Sequence, residues 1–142
     1  MPMTKLIYVD TNIYIDFFEN RTEGFKPFGE LARQLFDRAL DCEFKIIVSQ
    51  VVVEEIKDNG YTDVFNDFLN NLKSRNKILP AVFTNKDRIK ANELKDLRKT
   101  PYKDTCHVIL AQKVNAECLI TRNIKDYENI SDIIFVTLPE LI

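Results

Sequence analysis

The sequence predicts an α/β fold built on a parallel sheet, and two patterns carry that prediction. Its strand-like runs are short, continuous and apolar, as in strands covered on both faces, rather than alternating. Between them lie segments with helical spacing of apolar residues, so strands and helices alternate along the chain. The size agrees. With 142 residues, 45% hydrophobic and 30% charged, residues 1–142 suit one globular domain. Its core is large enough to need no disulfide or structural metal.

The elements follow in order. Lys5 to Val9 reads as the first strand and Thr11 to Phe18 as a short helix. The stretch "NRTEGFKPFGE", residues 20–30, is the longest expected loop. From Phe28 to Asp41, Phe28, Leu31, Ala32, Leu35, Phe36, Ala39 and Leu40 recur at spacings of three and four, which predicts a helix. Phe44 to Val48 is the second strand. Gln50 to Lys57 and Thr62 to Leu72 are helical, with Asn59-Gly60 as the turn between them. "KILPAV" at 77–82 is a fifth candidate strand, and Pro80 confines it to an edge or a strand end. Lys86 to Leu97 is an amphipathic helix that stops before Thr100-Pro101. Asp104 to Val114 is helical, and Cys118 to Thr121 and Ile133 to Val136 complete a sheet of four to five strands.

The net charge of -2 and pI near 5.5 exclude a broadly basic nucleic-acid binder, so any such contact is local. Cys42, Cys106 and Cys118 are odd in number and lack zinc-site spacing, which points to reduced thiols and a cytoplasmic protein. The start "MPMTKLIYVD" has no signal-peptide pattern. No apolar run approaches the roughly 18 residues of a membrane span.

Sites in open parallel sheets form beyond the carboxyl ends of strands. Asp10 follows the first strand. Glu54 and Glu55 lie within about two turns of the second strand's end. Asn123 and Asp126 follow "TR" after the fourth, and Asp104 starts the helix feeding it. Each has an ordinary structural use. Asp10 or Thr11 can cap a helix, Asp104 suits a first turn, the two Glu suit a solvated face, and Asp126 suits a turn. Taken together they are less ordinary. Carboxylates gathered at one rim raise each other's pKa, and a hard cation such as Mg²⁺ or Mn²⁺ relieves that repulsion.

"VDTNIYIDFF", "VSQVVVEEI", "YKDTCHVILAQKVNAECLITRN" and "FVTLPELI" together make the chain resemble PIN-domain proteins, most closely the toxin ribonucleases of the VapC type. The resemblance spans nearly the whole chain. It implies a three-layer α/β/α sandwich and Mg²⁺- or Mn²⁺-dependent hydrolysis of RNA phosphodiesters. It also implies an antitoxin partner. The family's metal-holding acids fall on Asp10, Glu55 (with Glu54 as the alternative) and Asp104. At the fourth acid this sequence departs, carrying Asn123; an amide oxygen can still ligate but adds no charge. Asp126 stands three residues on as a substitute, so one metal or two stays open. Thr11, Asn12 and Thr121 are expected to orient the carboxylates.

Candidate RNA contacts are Lys103, Arg122 and Lys125, with Lys95, Arg98 and Lys99 nearby and Tyr102 and Tyr127 for base stacking. Lys and Arg on helices usually serve only as solvated faces, and that is the ordinary reading of these side chains. Phe17, Phe18, Phe65 and Phe68 are candidate surface for a homodimer or another partner, or plain core. His107 is the one histidine; it reads as a buried structural residue, since Cys106 beside it points about 100° away on a helix.

Other classes fit less well. A phosphatase of the haloacid-dehalogenase type wants a second Asp where Asn12 stands, and a receiver domain wants a lysine that "TRN" does not supply. The remaining alternative is a PIN-like module of weak or no activity that binds RNA or protein.

Overall fold

The computed structural model describes residues 5–41 and 43–142. The first four residues, part of the start discussed above, and Cys42 lie outside them. Among the described residues, five parallel strands form one sheet in the order β3-β2-β1-β4-β5. They are β1 (Lys5–Val9), β2 (Phe44–Ser49), β3 (Ile78–Ala81), β4 (Cys118–Ile120) and β5 (Val136–Thr137). Each parallel step needs a crossover. The crossovers are α1 (Thr11–Glu19) and α2 (Phe28–Leu40), α3 (Gln50–Asp58) and α4 (Thr62–Ser74), and α5 (Asn85–Arg98) and α6 (Tyr102–Lys113). A 3₁₀ segment, Ile124–Ile130, joins β4 to β5. The arrangement is the α/β/α sandwich.

The central strands carry the core. Ile7, Tyr8, Val9, Ile46, Ile47, Leu119 and Ile120 have no exposed surface, which is why their runs lack polar alternation. Pro80 lies in the edge strand β3, paired in register with Val48. There its missing N–H leaves no inner ladder bond unmade.

Local chemistry sets several boundaries. Ser49 caps α3, its Oγ accepting the Val52 N–H at 3.2 Å. Thr84 and Asp87 form a capping box on α5. Gly60, at φ +83°, makes the turn before α4. Gly29 lets the start of α2 press on the preceding loop, since a Cβ there would lie 2.5 Å from the Asn20 Cα. The loop is thus shorter than 20–30, because α2 begins at Phe28.

Two boundaries differ from expectation. Helix α6 starts at Tyr102, with Pro101 as its N-cap, so Asp104 lies inside the first turn. The last strand is Val136–Thr137 rather than Ile133 to Val136. The 3₁₀ segment and the turn after it use Ile130 and Ile134 to fill the core, leaving Phe135 65% exposed. An apolar run alone does not separate a buried turn from a strand. No helix among the described residues is long and apolar enough to cross a membrane.

Candidate metal centre

The strand order reverses at β1: β2 and β3 extend one way, β4 and β5 the other. The crevice between the carboxyl ends of β1 and β4 is therefore the switch point of the sheet. Asp10 lies there, its N–H donating to the Ile120 carbonyl at 2.8 Å. It occupies the N-cap position of α1, yet its side chain makes no cap hydrogen bond. Instead Oδ2 accepts from Thr121 Oγ1 at 2.9 Å, from the Tyr127 hydroxyl at 2.8 Å and from Asn12 Nδ2 at 3.4 Å. Asn12 also donates to Thr121 Oγ1 at 3.0 Å and accepts the Arg122 N–H at 3.2 Å. The "DTN" and "TRN" turns are thus laced together across the crevice. Oδ1 of Asp10 is left facing His107, 3.5 Å from its Nε2.

Glu55 comes from α3. Its Oε1 accepts from Thr11 Oγ1 at 3.0 Å and lies 2.6 Å from His107 Nε2. Glu54, next in chain, is exposed and turns to the flank of this centre. Burial would raise the Glu55 pKa, but His107, Thr11 and Lys103 outweigh it and hold the carboxyl below its ordinary value.

His107 is fully buried beneath the two carboxylates. Although Nε2 is close to Glu55, the contact is out of line for a hydrogen bond, so this buried nitrogen has no hydrogen-bond partner. Nδ1 lies 2.6 Å from the Tyr8 hydroxyl, which in turn is 2.7 Å from Ser49 Oγ. Burial alone would lower the imidazole pKa; Asp10, Glu55 and Asp104 together raise it. With the ring charged, Nδ1–H donates to Tyr8 and Tyr8 donates to Ser49.

Asp10, Glu55 and His107 each bring a potential ligand atom within 4.8 Å of the others. Asp104 stands half-buried at the rim. Burial, then the charges of Asp10 and Asp126, push its pKa up to about 6, with His107 and Tyr127 opposing. Like charges held this close raise each other's pKa, and a bound cation would offset them. Two carboxylates, a third at the rim and an imidazole nitrogen without a hydrogen-bond partner fit a divalent ion.

The other predicted residues are placed less centrally. Asn123 is exposed, and its backbone N–H donates to Thr121 Oγ1 at 3.1 Å. Asp126 is exposed and acts on Asp104 through its charge. Lys103 is exposed beside Glu55, and Lys125 is exposed on the 3₁₀ segment. Arg122 is committed elsewhere: Nε lies 2.8 Å from the buried Asp16, and the guanidinium sits 4.9 Å from the Phe28 ring centroid. Tyr127 cannot stack on a base, because it has no exposed surface and its hydroxyl serves Asp10.

Sequence reasoning missed His107, Tyr8 and Tyr127 as parts of the centre. One signal was present. Asp104 and His107 are three apart on a helix, a spacing that puts them on one face. Tyr8, in the middle of a strand, gave no such signal.

A parallel α/β/α sheet with carboxylates gathered at its switch point defines a class of acidic-site α/β folds. Within it the chain belongs to the PIN domain family, whose model matches residues 7–125. No curated protein sequence matches the chain. Among solved structures, a toxin–antitoxin complex from Klebsiella pneumoniae is 21% identical with a TM-score of 0.64, over 94% of this chain and 97% of that one. VapBC-1 from nontypeable Haemophilus influenzae is 16% identical with a TM-score of 0.65, over 94% and 98%. VapBC2 from Rickettsia felis, bound to a DNA fragment from its promoter, is 16% identical with a TM-score of 0.64, over 92% and 96%. At these identities the likeness establishes the fold.

Proposed function

We propose that the chain is a divalent-metal-dependent endoribonuclease and the toxin of a toxin–antitoxin pair. The observation that carries this is the convergence of Asp10, Glu55 and His107 within 4.8 Å at the sheet's switch point, with Asp104 at the rim. Membership of the PIN family supports nuclease chemistry. That the structural relatives are toxin–antitoxin complexes supports the antitoxin partner.

Asp10, Glu55 and Asp104 would hold the ion, Mg²⁺ or Mn²⁺, with His107 as a further ligand. When bound, the ion polarises the scissile phosphate and lowers the pKa of water. The chain's own residues do the rest. Thr121, Tyr127 and Asn12 fix one oxygen of Asp10 and leave the other free to bind. Thr11 holds Glu55 in the same way. Asp10, Glu55 and Asp104 raise the His107 pKa in the metal-free chain, and a cation held there would oppose protonation, so loading would release protons. Asn123 and Asp126 would reach the outer side of the site, and Lys103 and Lys125 would meet the RNA backbone. Arg122 is proposed to hold the "TRN" turn through Asp16. A second copy of the chain would complete the assembly as a homodimer.

The test is cleavage of a mixed single-stranded RNA pool with Mn²⁺ or Mg²⁺, comparing wild type with Asp104→Asn and an EDTA control. Cleavage that needs both the metal and Asp104 is the expected result. Full cleavage in excess EDTA would overturn the reading.

A further inference from the structure

Beside the carboxylate centre lies a separate pocket of about 270 Å³. It is walled by Gln50 and Glu54 from α3, by Phe83 and Arg88 from the β3–α5 connection and α5, and by Tyr102 and Lys103 from the start of α6. The two sites share a wall. Glu54 precedes Glu55, Lys103 precedes Asp104, and Cys106, which also lines the pocket, precedes His107. On each helix one residue faces the centre while its neighbour, turned by about 100°, faces the pocket.

The two lobes differ in charge. The centre gathers carboxylates, whereas the pocket carries Arg88 and Lys103 against Glu54 alone. Its aromatic side is held in place: the Phe83 N–H donates to Gln50 Oε1 at 2.8 Å, and the Arg88 guanidinium sits 6.0 Å from the Phe83 ring centroid. Phe83 and Tyr102 are half-buried, so their exposed portions are available to a ligand. Cations beside aromatic faces are the means by which proteins hold single-stranded nucleic acid, charge for the phosphates and rings for the bases. The volume is just below the range of drug-sized ligand pockets, which suits one nucleotide and not a folded partner.

We propose that this pocket binds the nucleotide next to the scissile phosphate of a single-stranded RNA, its base against Phe83 and Tyr102 and its phosphate on Arg88 and Lys103. The proposal rests on the nuclease reading for the position of the bond that is cut, but its binding chemistry can be measured without cleavage. It makes Arg88 and Phe83 determinants of RNA affinity.

The experiment measures binding of a fluorescein-labelled mixed-sequence oligoribonucleotide to the Asp104→Asn chain in EDTA, over a range of salt. Adding Arg88→Ala is expected to weaken binding about tenfold. It should also reduce the slope of log K against log salt by about 0.7, one phosphate contact on a single strand. Adding Phe83→Ala should weaken binding about tenfold with the slope unchanged, the mark of lost stacking. Lys57→Ala, on the exposed part of α3, should do neither. If Arg88→Ala and Phe83→Ala bind like their parent while the wild-type chain cleaves RNA in Mn²⁺, the pocket proposal is overturned and the nuclease reading stands. If both variants lose affinity as stated but the wild type cleaves nothing, the pocket stands as an RNA site and the nuclease reading falls. A parent that binds no RNA overturns the proposal outright.

Discussion

Helix α1 joins two regions built on opposite physical terms. At its start, Asp10, Thr11 and Asn12 enter a cluster of buried or half-buried charge. On its inner face and towards its end, Tyr14, Phe17 and Phe18 pack against Phe36, Phe65 and Phe68 of α2 and α4. There the rings meet in the geometries aromatic pairs prefer. Tyr14 stacks on Phe36 at 5.3 Å and 23°, Phe36 meets Phe68 edge-on at 4.8 Å, and Tyr14 meets Phe65 at 5.2 Å and 86°. Phe65 is 1% exposed, while Phe17, Phe18 and Phe68 are partly buried against the same core. The aromatic side gains stability from burial. The acidic side spends it, crowding carboxylates in a place where folding alone would put apolar groups. That contrast marks where to look for function, since strongly perturbed groups gathered in a cleft are the signature of a candidate functional site.

The contrast can be broken at either end. The largest expected effect is on activity. Asp10→Asn, which keeps an acceptor oxygen for Thr121 and the buried Tyr127 hydroxyl, should lower RNA cleavage by about a thousandfold or more, equivalent to roughly 4 kcal/mol of barrier, while thermal unfolding of the metal-free protein changes little. Loss of folding instead of activity would mean that Asp10 serves the fold. Next, Phe65→Ala should cost about 3–5 kcal/mol of stability by leaving a cavity. A denaturant titration would register this, and the kcat of the remaining folded protein should not move.

Thr121→Val, close in shape, removes a donor to Asp10 Oδ2 and the acceptor that holds Asn12 and the Asn123 N–H. It should weaken metal affinity about 10- to 100-fold, measured by calorimetry with Mn²⁺. An unchanged affinity would show that Tyr127 and Asn12 suffice to orient the carboxylate.

The smallest effect has the opposite sign to most substitutions. Asp104→Asn removes a carboxyl whose pKa is raised from 3.8 to about 6 by burial and neighbouring charge. The metal-free protein should gain about 1 kcal/mol at pH 7, after allowance for solvent screening, and the gain should vanish towards pH 4. The sign follows from proton counting. The folded chain holds the Asp104 proton more tightly than the unfolded chain, so stability falls as pH rises from about 4 to 6. His107, raised above 6.5, contributes stability that is full below its unfolded pKa and is lost as pH climbs through its folded one. Glu55, lowered from 4.5, works the other way, contributing above that value and losing its contribution as pH falls through the folded pKa. Metal-free stability should therefore decline from pH 5 to pH 8, and saturating Mn²⁺ should flatten the decline. A metal-free curve that rises over this range would contradict the charge arrangement described.

The strands, the alternation and the edge position of β3 were legible in the sequence because they depend on local pattern. Continuous apolar runs belong to buried parallel strands, and Pro80 can sit only where no ladder partner needs its N–H. Asp10, Glu55 and Asp104 were legible as candidates because each follows or precedes a strand at a recognisable offset, and the resemblance named them. Harder to foresee was the choice between Glu54 and Glu55, because neighbouring helix residues differ only in facing. That facing is set by how α3 packs.

What the sequence determined by itself was the order of elements and the family, since periodicity and the "DTN" and "TRN" turns are properties of short segments. Only the tertiary structure decided that His107 lies under the carboxylates, that Tyr127 serves Asp10 rather than a base, and that Arg122 is tied to Asp16. Each of those is a contact between residues far apart in the chain: Asp10 and Tyr127 are separated by 117 positions and Asp16 and Arg122 by 106. Local patterns carry no information on which distant group will neutralise a buried charge or satisfy a buried hydroxyl; that depends on what the fold brings within about 3 Å of it.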